Sequence, residues 1–169
     1  MRVVAGEARG RRLVAPDGLD TRPTADRVRE AVFNSLVSLD VVDDARVIDV
    51  FAGTGALGIE ALSRGAAHAT FVESARPALN ALRQNLAACR FDGRSRVLPM
   101  DQARVVLEGF DLLLIDPPYR FDAWDDMFAR IPSGMVVAEA GRAVTPPDGW
   151  VVVRQARYGK AWVTFAERS

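Results

Sequence analysis

Asp49-Val50-Phe51-Ala52-Gly53-Thr54-Gly55-Ala56-Leu57-Gly58 is the stretch on which the fold turns. It follows the apolar run Arg46-Val47-Ile48-Asp49-Val50 and opens an amphipathic segment from Ala56 to Arg64. That order reads as a strand, a glycine-rich turn and a helix. Gly53, Gly55 and Gly58 match the spacing G-x-G-x-x-G, in which glycines let backbone approach a ligand closely. Glu73 closes the next apolar run, Ala69-Thr70-Phe71-Val72-Glu73, 20 residues after Gly53. A carboxylate there can accept both hydroxyls of a ribose.

Outward from this stretch the alternation continues. A helix is expected from Arg76 to about Ala88, a weaker strand over Ser95–Pro99, and a short helix from Gln102 to Leu107. The most apolar strand spans Phe110 to Ile115. A helix from about Ala123 to Arg130 and a strand over Met135–Glu139 follow. Continuous apolar strands alternating with helices indicate an α/β fold with a parallel sheet covered on both faces. Trp150–Arg154 and Ala161–Phe165, around Tyr158-Gly159, read as a C-terminal antiparallel hairpin. Residues 1–44 differ in character. Two extended pieces, at about 2–5 and 11–15, flank Gly6 and Gly10 as a small β-hairpin. A helix from Thr24 to about Leu39 follows, with Thr24 as N-cap and Val28, Val32 and Leu36 on one face. This arm is too small for its own core, so residues 1–169 are expected to form one domain, with the catalytic core over 45–169.

Asp116-Pro117-Pro118-Tyr119 carries the second chemical signal. Two prolines end the sheet ladder and leave their carbonyls unclaimed by a neighbouring strand. Those carbonyls and the Asp116 carboxylate can accept hydrogen bonds from an amino group, while Tyr119 offers a flat face to a planar ring. The plainer reading is a turn after a buried strand. The end of that strand, however, falls at the crevice where ligands sit in open α/β sheets. The amine of guanine or adenine is a poor nucleophile because its lone pair is delocalised into the ring. Hydrogen bonds to Asp116 and the Pro117 carbonyl can rotate the lone pair toward a donor, with no dedicated general base.

Taken alone, the glycine turn fits an NAD enzyme as well as an S-adenosylmethionine (AdoMet) enzyme. Asp49, before the glycines, tilts the balance: it can hold a cationic amino group, which AdoMet has and the pyrophosphate of NAD lacks. Asp101, past the third strand, can accept from an adenine amine or cap the segment that begins at Gln102. Arg22-Pro23-Thr24-Ala25-Asp26-Arg27-Val28-Arg29-Glu30 places Arg27 and Glu30 on one polar face, which is either solvated surface or a crevice wall.

Composition bounds the rest. The chain has 169 residues, 49% apolar and 26% charged, with zero formal net charge. The charge is unevenly spread: Arg2, Arg9, Arg11 and Arg12 face only Glu7 in the first twelve residues, and Arg154, Arg157 and Lys160 have no acid nearby. Basic surface at both ends suits phosphate contact, although arginine abundance here also reflects bias, since Lys160 is the one lysine. Lone Cys89 and lone His68 make neither a disulfide nor a metal site. No apolar run reaches a membrane span and Met1–Glu7 shows no apolar leader, so the expected location is the cytoplasm.

The chain resembles the RsmD family of bacterial 16S rRNA (guanine-N(2)-)-methyltransferases over nearly its whole length. The resemblance rests on GEARGRRL (6–13), RPTADRVREAVFN (22–34), DVFAGTGALGIEALSRGA (49–66), the FVE ending at Glu73, Asn85-Leu86, DPPY (116–119), and Arg157-Tyr158-Gly159. The RPT-x-DRVRE-x-x-FN block is the specific part. The resemblance implies a Rossmann-like class I AdoMet-dependent methyltransferase acting on the exocyclic amine of one guanine in 16S rRNA. It also implies work within the 30S subunit or an assembly intermediate, with S-adenosylhomocysteine as coproduct, no metal, and a monomeric enzyme. By position, Asp49, Phe51, Gly53, Gly55, Glu73 and Asp101 would hold AdoMet. Asp116, Pro117, Pro118 and Tyr119 would hold the guanine, and Arg9, Arg11, Arg12, Arg22 and Arg27 would meet rRNA. Ala25 stands where the family often has threonine and Thr54 where it often has serine; the link between the third and fourth strands is short. Other readings are an amino-methyltransferase acting on another RNA or on DNA, an NAD-linked oxidoreductase, and a non-catalytic RNA-binding module. DNA enzymes of this kind generally need an added recognition domain, for which no residues are left.

Overall fold

Apolar residues without polar alternation end up in the middle of a sheet covered on both sides. The structure, a computed structural model, describes residues 1–16 and 23–169. Helix α1 (Pro23–Ser38) leads into β1 (Arg46–Asp49), α2 (Ala56–Ser63), β2 (His68–Glu73), α3 (Arg76–Cys89), β3 (Ser95–Pro99) and β4 (Leu112–Ile115). The chain continues through α4 (Trp124–Ala129), β5 (Met135–Ala140), β6 (Trp150–Tyr158) and β7 (Ala161–Arg168). The sheet runs β3-β2-β1-β4-β5-β7-β6. Strands β1 to β5 are parallel, and β7 lies antiparallel to both β5 and β6. Strand order reverses between β1 and β4, the switch point at which open α/β sheets leave a crevice.

Two apolar layers follow from period-2 alternation. Val47, Phe71, Leu112, Leu114, Met135 and Val137 pack with Val32, Phe33, Leu36, Ile59 and Leu82 on the side of α1, α2 and α3. Ile48, Val72, Leu113, Ile115, Val136 and Ala138 pack with Trp124, Met127 and Phe128 of α4 on the other. Carried one step further, the same alternation points Asp49, Glu73, Asp116 and Glu139 toward the first side, each at the carboxyl end of its strand.

Four expectations change in detail. The two extended pieces of the arm reduce to one antiparallel bridge, Arg2↔Arg12. The reason is where the arm's backbone donors go. The Val4 and Ala5 N–H groups donate to Glu60 of α2, and Ala8 N–H to Ser63 Oγ, so helix side chains replace a strand partner. The helix expected over Gln102–Leu107 is a single 3₁₀ turn, Gln102–Arg104, because Val105 and Leu107 leave it extended to enter the second apolar layer. The hairpin strands run longer than expected, to Tyr158 and Arg168. Helix α1 starts at Pro23, so Thr24 lies inside it rather than capping it.

Candidate active site

Each parallel strand delivers an acid to the same edge of the sheet. Asp49 ends β1, Glu73 ends β2, and Glu139 lies in the last turn of the ladder of β5; Asp101 and Asp116 follow β3 and β4 by one or two residues. The row borders a cavity of about 690 Å³, a size suited to a cofactor-class ligand. Asp101, Glu73, Gly53 and Phe51 wall its β3-β2-β1 end; Asp116, Pro117, Pro118 and Tyr119 wall its β4-β5 end. Gly53 and Tyr119 therefore open onto one space.

The glycine turn divides its labour. Gly53 has φ +53° and faces open space where a Cβ would be. Its N–H donates to Glu73 Oε2 at 2.9 Å, which pins the turn to the end of β2. Glu73 Oε1 accepts from the Ser74 and Ala75 N–H groups at 2.8 and 2.7 Å, so this carboxylate is rigid before any ligand arrives. Gly55 (φ +82°) and Gly58 do not reach the cavity. A Cβ on Gly55 would lie 2.3 Å from Leu82, and one on Gly58 2.3 Å from the Phe71 ring. These two let α2 close on the sheet.

Asp49 also sits behind the cavity wall rather than on it. It is buried under the turn, where Oδ2 accepts the Gly58 N–H at 3.0 Å while Oδ1 has no partner among the described residues. Burial raises its pKa to about 7; the Gly58 hydrogen bond opposes that rise, and the Asp116 and Glu73 charges add to it. Asp101 accepts the Ala103 N–H at 2.8 Å, capping the 3₁₀ turn, and it also borders the cavity.

At the other end, Asp116 borders the cavity with its surface open to solvent there, while the protein packed around it partly desolvates the carboxyl and raises its pKa to about 6. Tyr119 is 84% exposed, its ring resting where a Cβ on Gly141 would come within 3.4 Å. Phe51, Phe121 and Trp124 form an edge-to-face chain, with centroids 5.4 and 5.0 Å apart, that joins the turn after β1 to the segment after β4. Phe121, Trp124 and Glu139 are cavity residues that sequence reasoning passed over. For Glu139 the signal was present: Met135-Val136-Val137-Ala138-Glu139 is another apolar strand that ends in an acid. Burial, then the nearby Asp116 charge, raises Glu139 to about 8.

With this geometry in hand, comparison with known proteins is informative. A family profile described as "Conserved hypothetical protein 95" matches residues 1–167. Ribosomal RNA small subunit methyltransferase D of Escherichia coli K12 is 42% identical over 123 residues, which cover 71% of this chain and 61% of that one. The chain belongs to the RsmD family. YlbH of Bacillus subtilis is 34% identical over 99% of both chains. The solved structure of yhhF from Escherichia coli superposes with TM-score 0.85 at 34% identity, covering 100% of this chain and 98% of that one. A more distant structure, magnesium protoporphyrin IX methyltransferase of Synechocystis with bound SAM, shares 13% identity at TM-score 0.71 over 86% of this chain and 80% of that one; it speaks to fold alone. The RsmD-family chain thus has the Rossmann-like class I methyltransferase fold. The antiparallel β7 between β5 and β6 separates it from the dinucleotide-binding order 3-2-1-4-5-6.

The basic residues of the RsmD-family arm are placed as surface. Arg9, Arg11, Arg12 and Arg27 are exposed, and Arg22 lies outside the described residues. Arg29 of the same block is instead buried, donating to Asp26 at 2.9 Å and to the Arg2 carbonyl. Asn85 of α3 ties the arm to the glycine turn. Its Nδ2 donates to the Val14 and Thr54 carbonyls at 3.0 and 2.9 Å, and its Oδ1 accepts the Val14 N–H at 2.8 Å.

Proposed function

We propose that this RsmD-family chain transfers a methyl group from AdoMet to the exocyclic amine of one guanine in 16S rRNA, in the cytoplasm and on the 30S subunit or an assembly intermediate. The observation that carries the reading is the single cavity that joins Gly53, Glu73 and Asp101 at one end to Asp116–Tyr119 at the other. Relatives in Escherichia coli and Haemophilus influenzae carry the name Ribosomal RNA small subunit methyltransferase D, which supports the rRNA substrate.

The residues fit AdoMet. An edge lined by carboxylates attracts the ammonium and sulfonium charges of that molecule and repels the pyrophosphate of NAD. Asp49 Oδ1, buried behind the wall without a partner among the described residues, is an acceptor available on the ammonium side through a bridging water. Gly53 leaves open space beside the rigid Glu73 carboxylate, whose remaining lone pairs suit ribose hydroxyls. When bound, AdoMet supplies an electrophilic methyl group; the chain supplies placement.

Asp116 and the Pro117 carbonyl accept the two N–H bonds of the guanine amine, turning its lone pair out of conjugation. Tyr119 gives the base a face to stack on at the rim, and the Phe51–Phe121–Trp124 wall keeps the seam between the two ends dry. Methylation releases one proton from the amine, and the ionised acids at this end can take it. Arg9, Arg11, Arg12, Arg22 and Arg27 are proposed to hold rRNA phosphates.

The test uses 30S particles and naked 16S rRNA from cells lacking this protein, purified full-length chain and labelled AdoMet, read by nucleoside mass mapping. One N2-methylguanosine is expected, from wild type only. The Asp116→Ala variant should lose the product at least about a hundredfold while keeping AdoMet affinity. A methylated base other than guanine, or binding of NADH in place of AdoMet, would overturn the reading.

A further inference from the structure

The geometry points to Glu139 as a second reader of the target base, beside Asp116, that selects a purine carrying a ring N–H next to its exocyclic amine. The inference rests on the function proposed above and adds a specificity-determining residue to that site.

Its basis is juxtaposition. Strands β4 and β5 pair in parallel with Ile115 opposite Ala138, so the next residue on each strand, Asp116 and Glu139, stand side by side. Alternation turns both side chains to the same face of the sheet, continuing Leu112-Leu114 and Met135-Val137. Both border the cavity, at the end away from Glu73 and Asp101. Tyr119 and Gly141, which frame this end, also border it. The Asp116 charge contributes to the upward shift of Glu139, in keeping with that placement.

Two adjacent carboxyl groups repel each other when both are ionised, and a ligand with two adjacent donors relieves that repulsion without a held proton. Guanine supplies these: its N1–H lies next to its N2 amine. If Asp116 accepts from the amine, Glu139 is placed for the N1–H. Adenine offers a lone pair at the corresponding ring position, which the Glu139 carboxylate repels once the cationic AdoMet bound beside it has favoured its ionised form. A site built to hydrogen-bond one such group discriminates strongly against the analogue that lacks it, because the protein group is then left unpaired in a desolvated place. Asp116 alone would accept either amine, so discrimination falls to Glu139.

The experiment compares wild type with Glu139→Gln and Glu139→Ala on two 30S preparations, identical except that the methylated guanine is replaced by adenine in one. Calorimetry reads AdoMet affinity, and mass mapping reads kcat/KM for each base. Expected results are AdoMet affinity within about twofold of wild type and a fall in guanine kcat/KM of at least about tenfold in Glu139→Ala, the loss of one charge-assisted hydrogen bond. Glu139→Gln keeps a carbonyl acceptor and gains an N–H donor, so it should retain more guanine activity than alanine and narrow the guanine-over-adenine preference by about tenfold. Unchanged rate and preference in both variants would overturn the role of Glu139. So would loss of AdoMet affinity in both, which would place the residue in cofactor binding. Failure of wild type to methylate any guanine would instead bring down the function proposed above, a result distinct from variant insensitivity in an active enzyme.

Discussion

Gly53 and Gly55 both hold left-handed backbone, yet a methyl group added to each meets different surroundings. At Gly53, which borders the cavity, it meets open space; at Gly55 it strikes Leu82. Gly53→Ala should therefore weaken AdoMet binding while costing about 1 kcal/mol of stability from backbone strain alone. Gly55→Ala adds overpacking to strain and should cost roughly 2–4 kcal/mol. Calorimetry and denaturant unfolding on both variants separate the two. The raised carboxyls make a further residue-scale prediction. Asp49, Asp116 and Glu139 sit at about 7, 6 and 8 when folded, above their ordinary values near 4. The folded chain then keeps protons that the unfolded chain has released, so this stability is full below about pH 4 and is lost as pH rises through 6 to 8. Unliganded protein should unfold at lower denaturant at pH 8.5 than at pH 5.5, and saturating AdoMet should narrow the gap by favouring the ionised acids. A flat or rising profile would contradict the acid-lined cavity. Such environments were only partly legible in the sequence. The spacing of Asp49, Glu73 and Asp116 behind apolar runs announced an acidic edge. That Asp49 and Gly55 stand behind the wall depends on Gly58, Leu82 and Phe71, which no local pattern brings together.

At the scale of elements, Glu60 is the residue that organises the arm. Fully buried in α2, it accepts the Val4 and Ala5 N–H groups at 2.9 and 3.1 Å and the Arg64 side chain at 2.7 Å, with the Arg29 guanidinium 3.6 Å away. Removing one partner of a buried charge network costs far more than an exposed pair. Glu60→Ala should destabilise the chain by roughly 3–5 kcal/mol and release the arm, read as faster proteolysis within residues 1–16 and a lower unfolding midpoint. The strands of the core were legible because apolar runs bounded by glycine, proline and acid admit few other readings. The arm was not. Gly6 and Gly10 suggested a hairpin, but Gly6 is needed because a Cβ there would overlap the Ser63 carbonyl. The partner of those residues is a helix 55 to 58 positions away along the chain, and hydrophobic periodicity carries no signal for that. Phe121 and Trp124 were missed for a like reason: each reads as an ordinary turn or helix residue until Phe51 is seen against Phe121, and Phe121 against Trp124.

For the whole molecule, zero net charge conceals an acidic cavity and an arm with exposed Arg9, Arg11 and Arg12. Phosphate contact by such residues is salt-dependent, each contact contributing nearly one unit to the slope of log affinity against log salt. Arg11→Ala with Arg12→Ala should lower 30S affinity, reduce that slope by about 1.5–2, and leave AdoMet affinity unchanged; an unaltered slope would remove the arm from the RNA interface. On the outer edge of the sheet, the irregular register of β6 between Val152 and Arg154 interrupts the ladder beside exposed Val151, Val152 and Val153. A kinked edge carrying arginine resists pairing with another chain.

The three hydrogen bonds that join Asn85 to Val14 and Thr54 have a consequence for the birth of the protein. Val14 leaves the ribosome long before its partner, 71 residues later in the chain, has been made. The first segment to emerge is consequently among the last to settle, and it must wait in solution until α3 has formed. An Asn85→Ala chain should refold with its leading residues unprotected against hydrogen exchange, even where the β1–β4 centre has already closed.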